Sequence, residues 1–167
     1  MELFEKAIEF ATKKHSGQVR KTNSAPFILH PMEVAAIVGS MTGDREVLCA
    51  ALLHDTVEDA GVTLNEIEDM FGTRVMNLVK SETENKRNDV PAEQTWKIRK
   101  TESLEVLKNS SDIGVKMVWL GDKLSNMRSF HRAYLKKGDA LWQSFHQSDV
   151  KEQQWYYTTV AAYLKDL

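Results

Sequence analysis

His54-Asp55, followed by Glu58-Asp59, combines an imidazole with three carboxylates in six consecutive positions. On a continuous helix these four positions fall within about 140° of the circumference, because residues four apart lie one above the other. The resulting acidic face follows directly on the apolar run Val47-Leu48-Cys49-Ala50-Ala51-Leu52-Leu53. Carboxylates are almost never buried beside such a run unless they are paired or bound to a cation. A divalent cation resolves that conflict, but two adjacent residues cannot surround an ion, so ligands must arrive from elsewhere in the chain. His30 and Asp122 complete a set of two imidazoles and two carboxylates with His54 and Asp55. That mixture suits Mn²⁺, with Fe²⁺ as the alternative, better than all-oxygen Ca²⁺ or a structural Zn²⁺ built on thiolates. The competing reading is plain: a lone histidine at a helix start is often a cap or packing residue, and a His-Asp pair arises by chance. Glu58-Asp59 and the isolated Asp122 favour the metal, since each is otherwise a carboxylate beside core residues.

Helical spacing recurs along nearly the whole chain, and sustained period-two alternation is scarce, which predicts an all-α fold. Leu3, Phe4, Ala7, Ile8, Phe10 and Ala11 form one stripe of a helix from about Leu3 to Lys14 that stops near Gly17. A polar loop, Gln18 to Pro26, leads into a helix through about Met41, with Pro31 in its first turn and His30 near its start. The central helix is expected to begin near Asp44, carry the 54–59 cluster and end at Gly61. Thr63-Leu64-Asn65-Glu66 is a capping box for a short helix closed by Gly72, followed by another from Thr73 to about Lys80. Polar residues 80–97, broken by Pro91, lead into an amphipathic run from Trp96 to Leu107. A further helix from Ile113 to Phe130 places Asp122, Asn126 and Ser129 on one side, and a last one runs from about Val150 to Leu167. Trp155, Tyr156, Val160, Tyr163 and Leu164 on it read as core and rim.

Composition narrows the function. The 167 residues carry a net charge of −2, with both signs mixed along the chain. That fits one domain over 1–167 and gives no electrostatic footprint for nucleic acid. The opening Met1-Glu2-Leu3-Phe4-Glu5-Lys6 has neither the basic start nor the apolar core of a secretory signal, and no membrane-length apolar stretch occurs. The expected location is cytoplasmic, without a membrane partner. Cys49 is the single cysteine, which rules out an internal disulfide and is read as a buried helix residue.

Several stretches together carry a resemblance. They are His15-Ser16-Gly17-Gln18-Val19-Arg20-Lys21, Pro26-Phe27-Ile28-Leu29-His30-Pro31, Ala50 to Asp59, Gly61-Val62-Thr63 with Phe71-Gly72, and Leu120-Gly121-Asp122-Lys123-Leu124-Ser125-Asn126-Met127-Arg128. Spread in order over roughly the first 130 residues, they resemble the HD-domain hydrolases of the RelA/SpoT type, the small alarmone hydrolases. The resemblance implies a helical bundle with one metal site between helices, His30, His54, Asp55 and Asp122 holding one Mn²⁺. It implies that Glu58 and Asp59 assist the attacking water. The implied reaction removes pyrophosphate from the 3′ position of a purine alarmone such as ppGpp or ppApp. It places Arg20 and Lys21 at the nucleotide, by stacking and by phosphate neutralisation, and Asn126 and Ser129 at the nucleoside or its sugar. Lys86, Arg87, Lys151 and Tyr156 match only loosely as completions of the pocket; each also reads as a surface or packing residue. His15, His131 and His146 have no ligand role by resemblance.

Departures bear on the substrate. Where the family usually has glycine and tyrosine before the first ligand, this chain reads Asn23-Ser24-Ala25-Pro26-Phe27, and Ser81 to Asp112 does not track the long bifunctional enzymes. The length has no room for their synthetase and regulatory domains, so the expected activity is degradative only. Two alternatives stand beside the alarmone: another nucleotide, such as a nucleoside monophosphate or the 2′-phosphate of NADPH, and a noncatalytic nucleotide-binding module. Retention of Glu58 and Asp59 favours the alarmone hydrolase.

Overall fold

The apolar stripes become helices in the computed structural model, which describes residues 2–167; Met1, the first residue of the opening stretch considered above, lies outside them. In chain order the α-helices are α1 Leu3–Lys14, α2 Leu29–Gly39, α3 Arg45–Leu53, α4 Thr56–Asp59, α5 Leu64–Phe71, α6 Thr73–Glu82, α7 Ala92–Asn109, α8 Ile113–Lys137 and α9 Val150–Leu164, with a 3₁₀ turn at Gly138–Ser144 before the last. Among the described residues there is no strand, only one isolated antiparallel bridge between Val19 and Pro26. The all-α expectation holds.

The apolar run 47–53 sits at the centre because it is buried on nearly every side: α3 is enclosed by α1, α2, α6 and α8. Leu52, Leu53, Val34, Val75 and Trp119 close this core, each large side chain contributing about 1.5–3 kcal/mol by leaving water. Cys49 is wholly buried, and burial pushes its thiol up to about 11, so it packs rather than reacts. The contact between α2 and α8 depends on Gly121. A Cβ there would lie 2.9 Å from Val38 Cγ2 and 3.2 Å from the Val34 carbonyl oxygen, so only glycine lets the two backbones approach this closely.

The central helix departs from the reading above. It is not continuous from Asp44 to Gly61 but breaks at His54-Asp55, between α3 and α4. Side chains cause the break: His54 Nδ1 bonds the Ala51 carbonyl at 2.8 Å and the Thr56 hydroxyl donates to the Leu53 carbonyl at 2.7 Å, both at the C-terminal end of α3. Other ends also move. α7 starts at Ala92, directly after Pro91 rather than at Trp96; α8 continues past Phe130 to Lys137; α9 stops at Leu164. The Thr63–Glu66 capping box forms as expected, with the Glu66 N–H on Thr63 Oγ1 at 3.1 Å and the Thr63 N–H on Glu66 Oε2 at 2.9 Å.

Candidate metal centre

His30 is the second residue of α2, and its tautomer follows from its neighbours. The Ser125 hydroxyl donates to Glu33 Oε2 at 2.8 Å, so it accepts from His30 Nδ1–H at 2.9 Å. His54 Nδ1 faces the Ala51 carbonyl, which can only accept. Both rings therefore carry hydrogen at Nδ1 and turn Nε2, the nitrogen left to hold a cation or a proton, to the same point.

That point is shared by two carboxylates. His30 Nε2 lies 3.0 Å from Asp122 Oδ1 and 3.4 Å from Asp55 Oδ2; His54 Nε2 lies 3.1 Å from Asp55 Oδ2 and 3.6 Å from Asp122 Oδ1. Donor atoms of His30, His54 and Asp122 all fall within 4.8 Å of one another. Ring nitrogens this close to carboxylate oxygens need a positive charge between them, a proton or a cation, and His54 Nε2 is buried without any other hydrogen-bond partner. Neighbouring ligands about 2.1 Å from one ion and at right angles are about 3 Å apart, close to the spacing found here. The residues thus fit a divalent cation. The same crowding governs their titration. Burial alone would push His54 down, but Asp55 and Asp122 outweigh it and hold the imidazole well above its usual range. Burial opposes ionisation of Asp55 as well, yet His54 and His30 bring it down to about 2.

Glu58 and Asp59, on α4, divide the next tasks. Glu58 Oε2 accepts the Glu84 backbone N–H at 3.2 Å, and burial, with Glu84 and Asp55 adding like charge, pushes its carboxyl up to about 7. Asp59 is more exposed and ion-paired: Lys86 Nζ donates to its Oδ1 at 2.6 Å and to the Glu58 carbonyl at 2.9 Å. Glu58 is thus the carboxyl of the two whose charge changes near neutrality, whereas Asp59 is held in an ion pair with Lys86.

A cavity of about 610 Å³ opens over these groups, and His30, Asp55, Glu58, Asp59 and Asp122 line it. Arg20, Lys21 and Asn126 line it as well. Their loop is built rather than loose: Arg20 N–H bonds the Ala25 carbonyl at 2.8 Å, and Phe27 N–H bonds the Gln18 carbonyl at 2.9 Å. Gln18 Nε2 fastens it to the Asp59 carbonyl at 2.8 Å, and the Thr22 and Ser129 hydroxyls join it to α8, also at 2.8 Å. Asn126 bridges the two sides, donating to Asp122 Oδ1 at 2.7 Å and accepting from Arg20 Nη2 at 3.2 Å. Ser129 differs from its expected place at the nucleoside: it is buried behind the loop, engaged with Thr22, and absent from the cavity lining.

Of the loosely matched residues, Lys86 reaches Asp59, whereas Arg87 turns away to Glu102 and Lys151 is exposed. Tyr156 is buried at the cavity wall, its hydroxyl unpartnered. Several lining residues were not singled out from the sequence: Lys100, Glu82, Glu84, Lys123, Phe130 and Tyr157. Only Lys123 carried a signal, its place directly after Asp122. Glu84 acts through partners far along the chain, bonding Arg99 Nη1 at 2.6 Å and Lys100 Nζ at 2.5 Å.

Known proteins resemble this chain in sequence and fold. A family model described as "HD domain" matches residues 7–147. The guanosine-3′,5′-bis(diphosphate) 3′-pyrophosphohydrolase MESH1 of Mus musculus is 43% identical over 129 residues, covering 75% of this chain and 68% of that protein. The guanosine-3′,5′-bis(diphosphate) 3′-pyrophosphohydrolase of Aquifex aeolicus is 38% identical over 128 residues, covering 77% of this chain. The chain spans only 18% of that long relative's length. A solved structure, described as a metazoan ortholog of SpoT that hydrolyzes ppGpp, superposes with a TM-score of 0.72 at 27% identity, over 99% of this chain and 85% of that one.

Proposed function

The chain belongs to the HD-domain family, and from that premise we propose that it hydrolyses the 3′-pyrophosphate of a purine alarmone such as ppGpp or ppApp, releasing pyrophosphate and a nucleoside diphosphate or triphosphate. One observation carries the reading: two imidazole Nε2 atoms and two carboxylates face one point, with the Glu58 carboxyl, raised to about 7, beside it.

In this reading His30, His54, Asp55 and Asp122 hold one Mn²⁺, with Fe²⁺ as the alternative. When bound, such an ion acidifies a coordinated water and polarises a phosphoryl oxygen. Glu58 orients the attacking water and takes its proton as oxygen bonds to the phosphorus on the ribose 3′ oxygen; that P–O bond breaks, and the proton passes to the leaving 3′ oxygen, which becomes a hydroxyl. Its pKa of about 7 suits the transfer, since a base works best when its pKa lies near the working pH. Asp59, which lines the cavity beside Glu58, assists in orienting that water. The Arg20 guanidinium covers the purine face, Lys21 neutralises phosphate, and Asn126, already between Asp122 and Arg20, addresses the sugar. Ser129 contributes by anchoring the loop through Thr22. The relatives named above support the substrate class: the mouse protein bears the name of this activity and shares most of its length with this chain.

The test is product analysis. Purified protein supplied with Mn²⁺ is incubated with ppGpp, ppApp, NADPH and nucleoside monophosphates. Pyrophosphate from the first two, with GDP or ADP as co-product, is the expected result. Orthophosphate released only from NADPH or a monophosphate overturns the assignment.

A further inference from the structure

Asp122 uses its two oxygens differently. Oδ1 faces both imidazoles and accepts from Asn126 Nδ2, while Oδ2 is bound by the ammonium of Lys123, the next residue. Lys123 is itself confined: its side chain is 15% exposed, its Nζ sits 4.4 Å above the centre of the Trp119 ring, and Glu82 Oε2 stands 3.3 Å away. Glu82 is more deeply buried, at 3% side-chain exposure, and its other oxygen has no partner. It lies at the end of α6, so the pair joins α6 to α8 at the cavity wall, against the Asp122 oxygen that does not face the imidazoles. The proposed chemistry has no step for either residue. A buried ion pair contributes little to stability as such, because desolvation offsets the attraction. Its position instead matches that of the groups which orient metal ligands from behind.

We infer that Lys123 is a positioning residue: by engaging Asp122 Oδ2 it presents Oδ1 alone to the divalent ion, and Glu82 holds Lys123 in that role while cancelling its charge. This rests on the reading of Asp122 as a ligand. Charge and geometry make opposite demands here. Removing an ammonium near a cation site favours the cation by Coulomb attraction, whereas releasing Asp122 to rotate disfavours it. The double substitution Lys123→Met with Glu82→Gln removes one charge of each sign, so it isolates the geometric effect.

The experiment is Mn²⁺ titration of the nucleotide-free protein by calorimetry, with circular dichroism as the check on folding. The double variant should bind Mn²⁺ about tenfold to a hundredfold more weakly than the wild type, and Lys123→Arg, which keeps a donor, within about threefold of it. A folded double variant with wild-type affinity overturns the inference. Should the double variant not fold, Lys123→Gln, which retains an N–H donor without the charge, is compared with Lys123→Met; tighter binding by Lys123→Gln is expected, and equal binding overturns the inference. Asp122→Ala, measured alongside, separates the two levels of the argument, since unchanged Mn²⁺ binding there rejects the ligand assignment itself. None of these readouts depends on which nucleotide is cleaved.

Discussion

Glu58 and Asp59 are neighbours of like chemistry whose surroundings assign them different tasks. Burial and the nearby Glu84 and Asp55 charges raise Glu58 to about 7, whereas Asp59 is tied to Lys86. A base must be ionised to work, so with a raised pKa the active form is lost as pH falls. The rate kcat should therefore decline below about pH 7 and level off above it. Glu58→Gln should lower kcat by about a hundredfold or more while leaving Mn²⁺ affinity near wild type. Steady-state kinetics over pH, paired with metal titration, checks both; full activity in Glu58→Gln removes the residue from the mechanism. The types and spacing of His30, His54, Asp55, Glu58 and Asp122 were legible in the sequence because each is a charged or metal-ligating side chain next to apolar neighbours. The Glu82–Lys123 pair was not, because its meaning depends on α6 and α8 coming together, which no local pattern encodes. Ser129 was legible as a polar residue on the Asp122 side of its helix, but not as one already engaged by Thr22.

Helices deliver these side chains, and their contacts set the tolerances. Gly121 precedes Asp122 and lies against Val34 and Val38 of α2, the helix whose second residue is His30. Gly121→Ala should push α2 from α8 and cost about 1–3 kcal/mol, as overpacking of a tight interface does. Mn²⁺ affinity should fall with it. Urea unfolding followed by circular dichroism measures the first effect and metal titration the second; a variant as stable as wild type would show that the interface yields. The helix starts at Asp44 and Thr63 were legible, since both residues cap through chemistry local to the sequence, whereas the start of α7 directly after Pro91 was masked by the polar residues that follow it. The break after Leu53 was hidden because no glycine or proline marks it before Gly61. It arises from two side-chain bonds to carbonyls, and His54 makes one of them with the nitrogen that does not face the metal point.

Across the whole molecule, the metal point gathers α2, the α3–α4 junction and α8, so a bound ion opposes separation of all three. Saturation with Mn²⁺ at about 100 times its Kd should add ~2.7 kcal/mol to the unfolding free energy. A thermal melt with and without a chelator reads this directly, and an unchanged midpoint denies the ion its structural share. The fold class was legible because helical periodicity covers most of the chain. Residues 83–91 were not: Arg87 adopts a left-handed φ of 48° and turns to Glu102, while Glu84 is drawn to Arg99 and Lys100 on α7. Such long-range pairings override local preference. The loop carrying Arg20 and Lys21 is fastened on one flank to Asp59 and on the other to Ser129. The mouth of the cavity therefore has a standing frame, and Arg20, Lys21 and Asn126 present their tips from it. Exchanging one of those tips would alter what the cavity admits without rebuilding the doorway.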